Sequence, residues 1–298
     1  MMRENFDEYV ELVNEYLVDS IPRIDSKSST LYDAMKYSLT AGGKRLRSVL
    51  VLAACEFAGG KAQSALPYAC AMEYIHTYSL IHDDLPAMDN DELRRGRPTN
   101  HIVYGEGVAI LAGDGLLNTA FEVMNKDMLM YLDNLDELKK RINASYTISK
   151  AAGVRGMVAG QVSDIEAENK PCSNEMLEYI HLNKTGALIT ASIRAGLYLG
   201  GADDEMMANM TEYAENMGLA YQIADDMLDV IGSEEEMGKK TGADQLMEKT
   251  TYVTLNGLDA SKAKLRELTQ NAVDAIADYY DNAEFFRDLV LKLETRTK

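Results

Sequence analysis

The sequence is poor in several residues that mark particular classes of protein. It has no tryptophan, five phenylalanines and five prolines, and its three cysteines form no CxxC pair. A chain of 298 residues does not need disulfide bonds, so we expect reduced thiols and a cytoplasmic location. Basic residues number 30 against 48 acidic ones, and the net charge of -18 argues against nucleic acid as a partner.

Long apolar segments are also missing. The longest uninterrupted run covers residues 49–55, far short of the roughly 20 residues that cross a membrane. The acidic N-terminus MMRENFDEYVELV lacks the apolar region of a signal peptide. We therefore expect neither a membrane span nor a signal peptide.

Helical periodicity is what the sequence has instead. Apolar side chains recur at helical spacing, for example at Phe6, Val10, Val13 and Leu17. The segment 68–82 is apolar on most faces, which predicts a central, buried helix. No convincing run alternates apolar and polar residues as a half-buried strand does, so we predict an all-α fold. No linker or repeat divides the chain, and we expect one domain over residues 1–298.

Two acidic motifs carry the strongest functional signal. The first, DDxxxxD, and the second, DDxxD, are formed by Asp83, Asp84, Asp89, Asp225, Asp226 and Asp229. With 24 aspartates in the chain, one DDxxD arises by chance about 0.15 times, so a single motif is weak. Both motifs, however, lie in apolar surroundings, YSLIHDD and GLAYQIADD, and not in charged surface stretches.

Charge repulsion within these motifs favours a bound cation. In a helix Asp225 and Asp229 share one face, where like charges cost about 0.2–0.5 kcal/mol even when exposed. Burial without a cation costs several times more. Oxygen ligands without histidine or cysteine at ligand spacing suit Mg²⁺, which usually binds one or two carboxylates together with substrate phosphates. The motifs therefore predict a diphosphate bound through magnesium; the alternative is two solvated acidic helix faces.

Basic residues beside glycines predict where further negative charge binds. In GGKRLR, residues 42–47, Lys44 and Arg47 stand three positions apart at an expected helix start, where anions are favoured. We expect the two side chains to point the same way on that helix. His76 precedes Asp83 by seven residues, so it lies on nearly the same helix face; a core histidine is the alternative.

Other cations occur near the motifs. Arg94 and Arg95 follow Asp89 of the first motif by five and six residues, and a structural salt-bridge patch is the alternative interpretation of them. HLNKTGALI adds Lys184 and Thr185, and EMGKKTGAD adds Lys239. Each is a weak signal alone, but together they place several cations beside small residues in an acidic protein.

These segments together resemble the short-chain trans-isoprenyl diphosphate synthases, most closely the bacterial farnesyl diphosphate synthases. DDLPAMDNDELRRGRPT, GGKRLR, KTGALI, YQIADDMLDV and GMVAGQVSDIEAE occur in the family's order within residues 30–256. One departure is Ser48, where the family usually has proline, and we expect it to alter a helix start without touching the ligand residues. The resemblance implies an all-α isoprenoid synthase fold, with about ten or more helices around a deep central cavity, as a homodimer.

The resemblance also implies residue roles. About three Mg²⁺ ions per active site would be held by Asp83, Asp84, Asp89 and Asp225. The allylic diphosphate would be bound by Arg94, Lys184, Thr185, Gln222, Lys239 and Lys249. Isopentenyl diphosphate would be bound by Lys44, Arg47, His76 and Arg95. The catalytic set would be completed by Lys184, Asp226 and Asp229.

The implied chemistry is ionisation of the allylic C–O bond, attack by the isopentenyl double bond on the carbocation, and loss of a proton. Magnesium and lysines would stabilise the charge of the leaving diphosphate in a cavity from which water is excluded. No side chain is an obvious general base, and the departing diphosphate could accept the proton.

Tyr78 and Ser79 are the expected chain-length residues. Tyr78 lies five residues before Asp83, about 7.5 Å deeper along a helix, where a bulky ring would block further growth. Helical angles favour Ser79, about 40° from Asp83 against about 140° for Tyr78. A Tyr78 floor that gives a C15 product therefore rests on the resemblance, and ordinary packing is the alternative.

Three other functions stay open. The first is a geranyl or geranylgeranyl diphosphate synthase, with a different product length. The second is a class I terpene cyclase, which would have a different second metal motif, a pocket rich in aromatics and no need for GGKRLR. The third is a catalytically silent partner subunit, in which eroded acidic motifs would be expected.

Overall fold

Helices make up nearly all of the regular structure, as the sequence predicted. The computed structural model describes residues 2–22, 26–168, 170, 172–231 and 250–296. Its helices are α1 (Met2–Ser20), α2 (Ser29–Leu39), α3 (Leu46–Phe57), α4 (Ala62–Asp83), α5 (Asn100–Tyr104), α6 (Glu106–Leu129), α7 (Leu135–Ala152), α8 (Met157–Ala167), α9 (Asn174–Ile180), α10 (Ala187–Gly200), α11 (Asp204–Ile231), α12 (Tyr252–Asn256), α13 (Leu258–Ala275) and α14 (Glu284–Leu291). Short 3₁₀ turns cover Ser26–Ser28, Ala277–Ala283 and Lys292–Thr295.

Helix α4 is the central helix that the apolar segment 68–82 predicted. Residues on all its sides are buried, including Tyr68, Met72 and Ile75. It packs along α6 and α3, and α1 crosses it. Because it is apolar all round, α4 is stable only when other helices surround it. Its C-terminal end carries the first acidic motif.

Two hydrophobic clusters form the core. One surrounds α4 and takes in α1, α2, α6 and α7, and the other joins α11, α13 and α14. Helices α3 and α10 contribute to both: Val51 and Leu188 belong to the first cluster, Leu50 and Ile189 to the second. The two acidic motifs, on α4 and α11, are therefore joined by the packing of α3 and α10.

A two-stranded hairpin is the one element of the described chain that the all-α prediction did not include. Leu93–Arg94 pairs antiparallel with Arg97–Pro98. The turn residues Arg95 and Gly96 both have positive φ, 53° and 73°, as a tight two-residue hairpin turn requires. Strands of two residues are too short to produce an alternating pattern, so they could not be predicted from the sequence. The hairpin directs Arg94 and Arg95 to different partners.

The GGKRLR segment differs from the prediction at its start. Helix α3 begins at Leu46, and Arg45 before it has a left-handed φ of 53°. Lys44 therefore lies in the preceding loop, and the expectation that Lys44 and Arg47 share a helix face is wrong. The positive φ of Gly42 and Gly43, 84° and 127°, favours glycine and lets the chain turn into α3.

Helix α6 is, among the described residues, the helix long and apolar enough to cross a membrane by length and composition, with a mean hydropathy of 1.2. Such evidence is weak, because the core helix of a globular protein has the same properties. Ala109, Ala112 and Leu116 are fully buried, whereas Ile110 and Leu111 are exposed. The helix thus has one face in the core and one apolar face outside it.

Candidate active site

The first acidic motif lies where α4 ends and the chain turns back. Asp83 is the last residue of α4, and the backbone N–H of Asp89 donates to the Asp83 carbonyl at 2.9 Å. The turn therefore returns Asp89 to the end of the helix. Burial raises the pKa of Asp83, Lys184 opposes this shift, and nearby Asp89 reinforces it. The Asp83 carboxylate thus lies near both a cation and a second acid.

Asp84 and Arg94 form a bidentate pair. The Arg94 Nε donates to both Asp84 carboxylate oxygens, at 2.8 and 2.9 Å, and Asp84 is only 3% exposed. Asp91 lies 3.7 Å from the same guanidinium. Burial raises the pKa of Asp84 and Arg94 opposes the shift. The salt bridge expected as the alternative for Arg94 is therefore present, and its contact with a diphosphate stays a prediction.

The three acids of the second motif have different surroundings, although all lie on α11. Asp225 is half-exposed and pairs with Arg296 at 2.6 Å. Asp226 is buried and accepts from the Gln222 side chain at 2.9 Å and from the Tyr252 backbone N–H at 2.7 Å. Asp229 is 3% exposed, and neither carboxylate oxygen has a hydrogen-bond partner in the described chain. Only Asp226 is thus fully integrated into protein hydrogen bonds.

A π-helical segment, His181–Gly186, carries the KTG sequence between α9 and α10. Lys184 Nζ lies 2.6 Å from an Asp164 carboxylate oxygen on α8. Thr185 donates to Gln222 at 3.0 Å, so it joins the network of Asp226. π-Helical turns are rare and are often found at functional sites, and here the wider turn places Lys184 and Thr185 toward α8 and α11.

Glycines allow the π-helical segment to approach its neighbours closely. A Cβ at Gly160 on α8 would lie 2.2 Å from the Lys184 nitrogen, which no side chain tolerates. A Cβ at Gly218 on α11 would lie 3.0 Å from the Gly186 Cα. Both positions therefore need glycine because there is no space for a side chain. The close contacts hold the backbone of Lys184 between α8 and α11.

A cavity of about 400 Å³ brings together the four residues predicted for isopentenyl diphosphate. We call it the cation cavity. Lys44, Arg47, His76 and Arg95 all line it. The Arg95 guanidinium donates to the Gly42 carbonyl and lies where a Gly43 side chain would stand. The loop and the hairpin thus converge, although they are far apart in sequence.

Cationic side chains are concentrated in this cavity. Arg47 Nε is buried without a hydrogen-bond partner in the described chain, and burial lowers the pKa of Arg47. Burial, reinforced by Arg47 and Arg95, lowers the pKa of His76 well below its ordinary value. His76 is therefore a neutral hydrogen-bonding group beside fixed cations. This arrangement suits an anion with several oxygens.

The wall beneath the cavity is held by a buried ion pair. Arg45 donates to Glu73 at 2.6 Å, and both side chains are almost fully buried. Ser48 donates to the Ala69 carbonyl at 2.7 Å and to Glu73 at 3.2 Å. The Ser48 hydroxyl is thus tied to the ion pair that supports these cations.

An apolar cavity of about 430 Å³ runs along α4 from the first motif and shares Arg47 and His76 with the cation cavity. Asp83, Ser79 and Tyr78 line it in order of increasing depth along α4. Tyr78 is 7% exposed, and its pKa is raised to about 12 by burial and by Asp83. Ser79 donates its hydroxyl to the His76 carbonyl at 2.9 Å. The chain-length candidates therefore both face this cavity, with the larger side chain deeper.

The sequence interpretation missed three residues near the site and named two that lie outside the described chain. Asp164, which pairs with Lys184, stands in GMVAGQVSDIEAE, and its DxE pattern was a usable signal. Arg45 was adjacent to the named cations, and Arg296 belongs to a basic ending whose match was loose. Lys239 and Lys249 lie outside the described residues.

The acidic motifs fit a divalent ion that takes part of its coordination from a ligand. No three acidic, histidine or cysteine side chains of the described residues converge into a ready metal site. The orphaned carboxylate of buried Asp229, and the raised pKa of Asp83, which burial and Asp89 cause against the opposing Lys184, nevertheless favour a bound cation. Oxygen donors of this kind suit Mg²⁺, which keeps waters and binds phosphates. The side chains of the described residues alone therefore offer too few ligands for a metal ion. A metal ion that also binds a diphosphate fits the site.

Comparison with known proteins agrees with this geometry. The polyprenyl synthetase family model matches residues 28–284. The chain is 46% identical over 274 residues to a geranylgeranyl diphosphate synthase of Cyanophora paradoxa, covering 91% of this chain and 88% of the relative. It is 47% identical over 259 residues to a farnesyl diphosphate synthase of Geobacillus stearothermophilus, covering 87% and 86%. The crystal structure of an FPP/GFPP synthase from Zymomonas mobilis superposes with a TM-score of 0.86, at 29% identity and 98% coverage of both chains.

The chain belongs to the polyprenyl synthetase family and has the isoprenoid synthase fold. Its activity is that of a trans-prenyl diphosphate synthase, a prenyltransferase. Substrates in this family are isoprenoid diphosphates, and the family uses divalent metal ions. The family predicted from the acidic and basic motifs is confirmed.

Proposed function

We propose that the protein condenses isopentenyl diphosphate with dimethylallyl and geranyl diphosphates to give farnesyl diphosphate, with release of diphosphate. The observation that carries the C15 product is the buried Tyr78 ring, which lines the apolar cavity about 7.5 Å along α4 from Asp83. A chain anchored by its diphosphate at Asp83 can lengthen only toward this ring.

The allylic diphosphate would bind at the open end of the apolar cavity. Mg²⁺ would be held by Asp83, Asp84, Asp89 and Asp225. The allylic diphosphate itself would be contacted by Arg94, Lys184, Thr185, Gln222, Lys239 and Lys249. Lys184 carries the best support within the described chain, because it lines the cavity and stands on the constrained π-helical segment.

Isopentenyl diphosphate would occupy the cation cavity through Lys44, Arg47, His76 and Arg95. The unpartnered Arg47 Nε supports this assignment, because a buried guanidinium without an acceptor is costly until an anion binds. Arg47 and His76 line both cavities, so the double bond of isopentenyl diphosphate can meet the allylic carbon where the cavities join.

The residues of the chain support ionisation in two ways. Lys184 would donate to the leaving diphosphate, and the apolar wall around Met157 and Leu188 would keep water from the carbocation. When bound, divalent metal would neutralise charge developing on the departing oxygens. His76 is neutral and lies among cations, so the departing diphosphate is the better proton acceptor.

The test is the product of Tyr78→Ala, made with labelled isopentenyl diphosphate in excess and a geranyl starter. Product carbon number is read after phosphatase treatment. A C15 product from the wild type and C20 or longer products from Tyr78→Ala support the proposal, with Tyr78→Phe as the control that keeps the ring. A lowered melting temperature with an unchanged C15 product would instead make Tyr78 a packing residue.

A geranylgeranyl diphosphate synthase is the second candidate, because a relative of that name is 46% identical to the chain. It predicts that the wild type itself extends past C15 with excess isopentenyl diphosphate. The same assay therefore decides between the two products before any substitution is made.

We also propose a cytoplasmic homodimer of single-domain chains. Helices α6 and α7 both carry exposed apolar side chains, including Ile110 and Leu111 on α6 and Ile142 and Tyr146 on α7. Exposed apolar side chains of this kind are often buried against a second subunit. Light scattering of the purified protein tests the dimer, and Leu111→Glu should lower the mass if α6 lies in the interface.

A further inference from the structure

His82 occupies a defined seat between the apolar cavity and α6. It stands one turn from Tyr78 on α4 and lines the same cavity. The two rings meet edge to face, with centroids 5.6 Å apart and planes at 80°. On its other side, His82 Nε2 lies 3.0 Å from the Ile110 carbonyl oxygen on α6. Since a carbonyl only accepts, Nε2 carries the proton and donates it.

Gly113 provides the space for this seat. A Cβ at Gly113 would lie 2.1 Å from His82 Nε2 and 2.5 Å from the ring carbon Cδ2. Gly113 lies within the regular helix, so glycine is needed there for the space that it leaves and not for an unusual backbone conformation. The imidazole, whose side chain is 29% exposed, therefore fits into a notch on α6, where the Ile110 carbonyl accepts its hydrogen bond, Asp114 lies 3.9 Å from Nε2 and Gly113 leaves the space.

Tyr78 depends on packing for its position. The ring is 7% exposed, so contacts with neighbouring side chains restrict it. The aromatic ring that contacts it there is that of His82. Edge-to-face contacts have a preferred geometry at centroid distances of about 4.5–7 Å, so a fixed imidazole restricts where the phenol ring can lie.

We propose that His82, seated in the Gly113 notch, is a specificity-determining residue that sets product length by holding the Tyr78 ring across the cavity. The inference rests on the proposed function, because it concerns which chain lengths the prenyltransferase makes. Without the imidazole, the cavity would continue into the notch, and the Tyr78 ring could turn aside. The growing hydrocarbon would then have more space, and the Tyr78 ring would no longer block the end of the cavity.

Two substitutions separate the ring of His82 from its hydrogen bond. His82→Phe keeps an aromatic edge against Tyr78 and loses the donor, whereas His82→Gln keeps a donor and loses the ring. In the product assay with excess isopentenyl diphosphate, we expect His82→Phe to keep the wild-type product. We expect His82→Gln to raise the fraction of longer products at least about tenfold, which corresponds to 1.4 kcal/mol in the competition between release and extension.

Two further variants test the path through Tyr78 and the notch. His82→Gln should add little in a Tyr78→Ala background, because both changes act on the same ring. Gly113→Ala should alter product length without touching substrate, by forcing the imidazole from its seat. Gly107→Ala is the matched control, since a Cβ there meets nothing within 4 Å. Circular dichroism melts of all variants establish that they fold.

The outcomes keep this inference distinct from the proposed function. If Tyr78→Ala lengthens the product while folded, active His82→Gln and Gly113→Ala do not, then Tyr78 holds its own position and the inference is wrong. If the wild type makes C20, the farnesyl proposal fails. A further lengthening by His82→Gln, absent in His82→Phe, would still support the role of His82.

Discussion

The guanidinium of Arg296 lies 2.6 Å from the carboxylate of Asp225. The same guanidinium stands 4.6 Å from the centre of the Tyr221 ring, one turn earlier on α11. Arg296 also lines the cation cavity beside Arg47 and Arg95. The last described residue therefore connects the second acidic motif with the proposed isopentenyl diphosphate site.

Removing Arg296 should affect metal and substrate in opposite directions. Arg296→Ala frees Asp225, so we expect half-maximal activity at a lower Mg²⁺ concentration. It also removes a cation from the cavity, so the KM for isopentenyl diphosphate should rise several-fold and that for the allylic substrate little. Steady-state kinetics at varied Mg²⁺ measures both. Arg266→Ala, a change at an exposed arginine on α13, is the control, and unchanged constants in Arg296→Ala would contradict this expectation.

Asp225 and Asp226 are adjacent but should respond differently to substitution. Asp225→Asn should reduce turnover by several orders of magnitude with little change in melting temperature, because its carboxylate is half-exposed. Asp226→Asn should destabilise the fold by about 1–3 kcal/mol, because a buried acceptor of two hydrogen bonds is replaced. Urea denaturation and turnover separate the two effects. Equal stability losses would show that Asp226 is not the structural member of the pair.

His181 should make stability depend on pH. It is buried, and burial lowers its pKa from 6.5 to about 4. Between these values the unfolded chain binds the proton and the folded chain does not, so stability is full above pH 6.5 and falls as the pH falls. The loss between pH 7 and pH 5 should be about 2 kcal/mol. Urea denaturation at both values measures it, and His181→Gln should show a smaller loss than the wild type; parallel curves would argue against this role.

The contact between α8 and the π-helical segment should tolerate no side chain at Gly160. The methyl group of Gly160→Ala would meet the Lys184 backbone at 2.2 Å and displace it. We expect a loss of about 1–3 kcal/mol in stability and a fall in kcat, since Lys184 moves. Gly107→Ala, which adds the same methyl group in open space, should retain both. Normal kcat in Gly160→Ala would mean that the segment can shift without consequence.

Much of the fold was predictable because it rests on local patterns. The apolar segment 68–82 indicated α4, and repeated helical spacing indicated an all-α chain. The acidic motifs gave the class of reaction because two carboxylate clusters in apolar surroundings need cations. The hairpin at Arg94 was not predictable, since two-residue strands leave no periodic signal.

The pairing within the site depended on tertiary structure. No spacing rule brings Asp164 to Lys184 or Arg296 to Asp225, because these contacts join helices distant in sequence. Lys44 was expected on a helix but lies in a loop, because the left-handed Arg45 delays the start of α3. Helical angles also favoured Ser79 over Tyr78 as the residue that faces the cavity, yet both line it. The two residues differ in their depth along α4 and in the size of their side chains.

The π-helical segment has a consequence for changes in chain length. A π-helical turn arises when one extra residue is accommodated in a continuous helix. Deleting a single residue within His181–Gly186 would allow the regular α-helix to re-form, at the cost of rotating everything on one side by about 100°. Lys184 or Thr185 would then leave its partner on α8 or α11. The fold of this stretch should therefore tolerate point substitutions far better than a one-residue deletion.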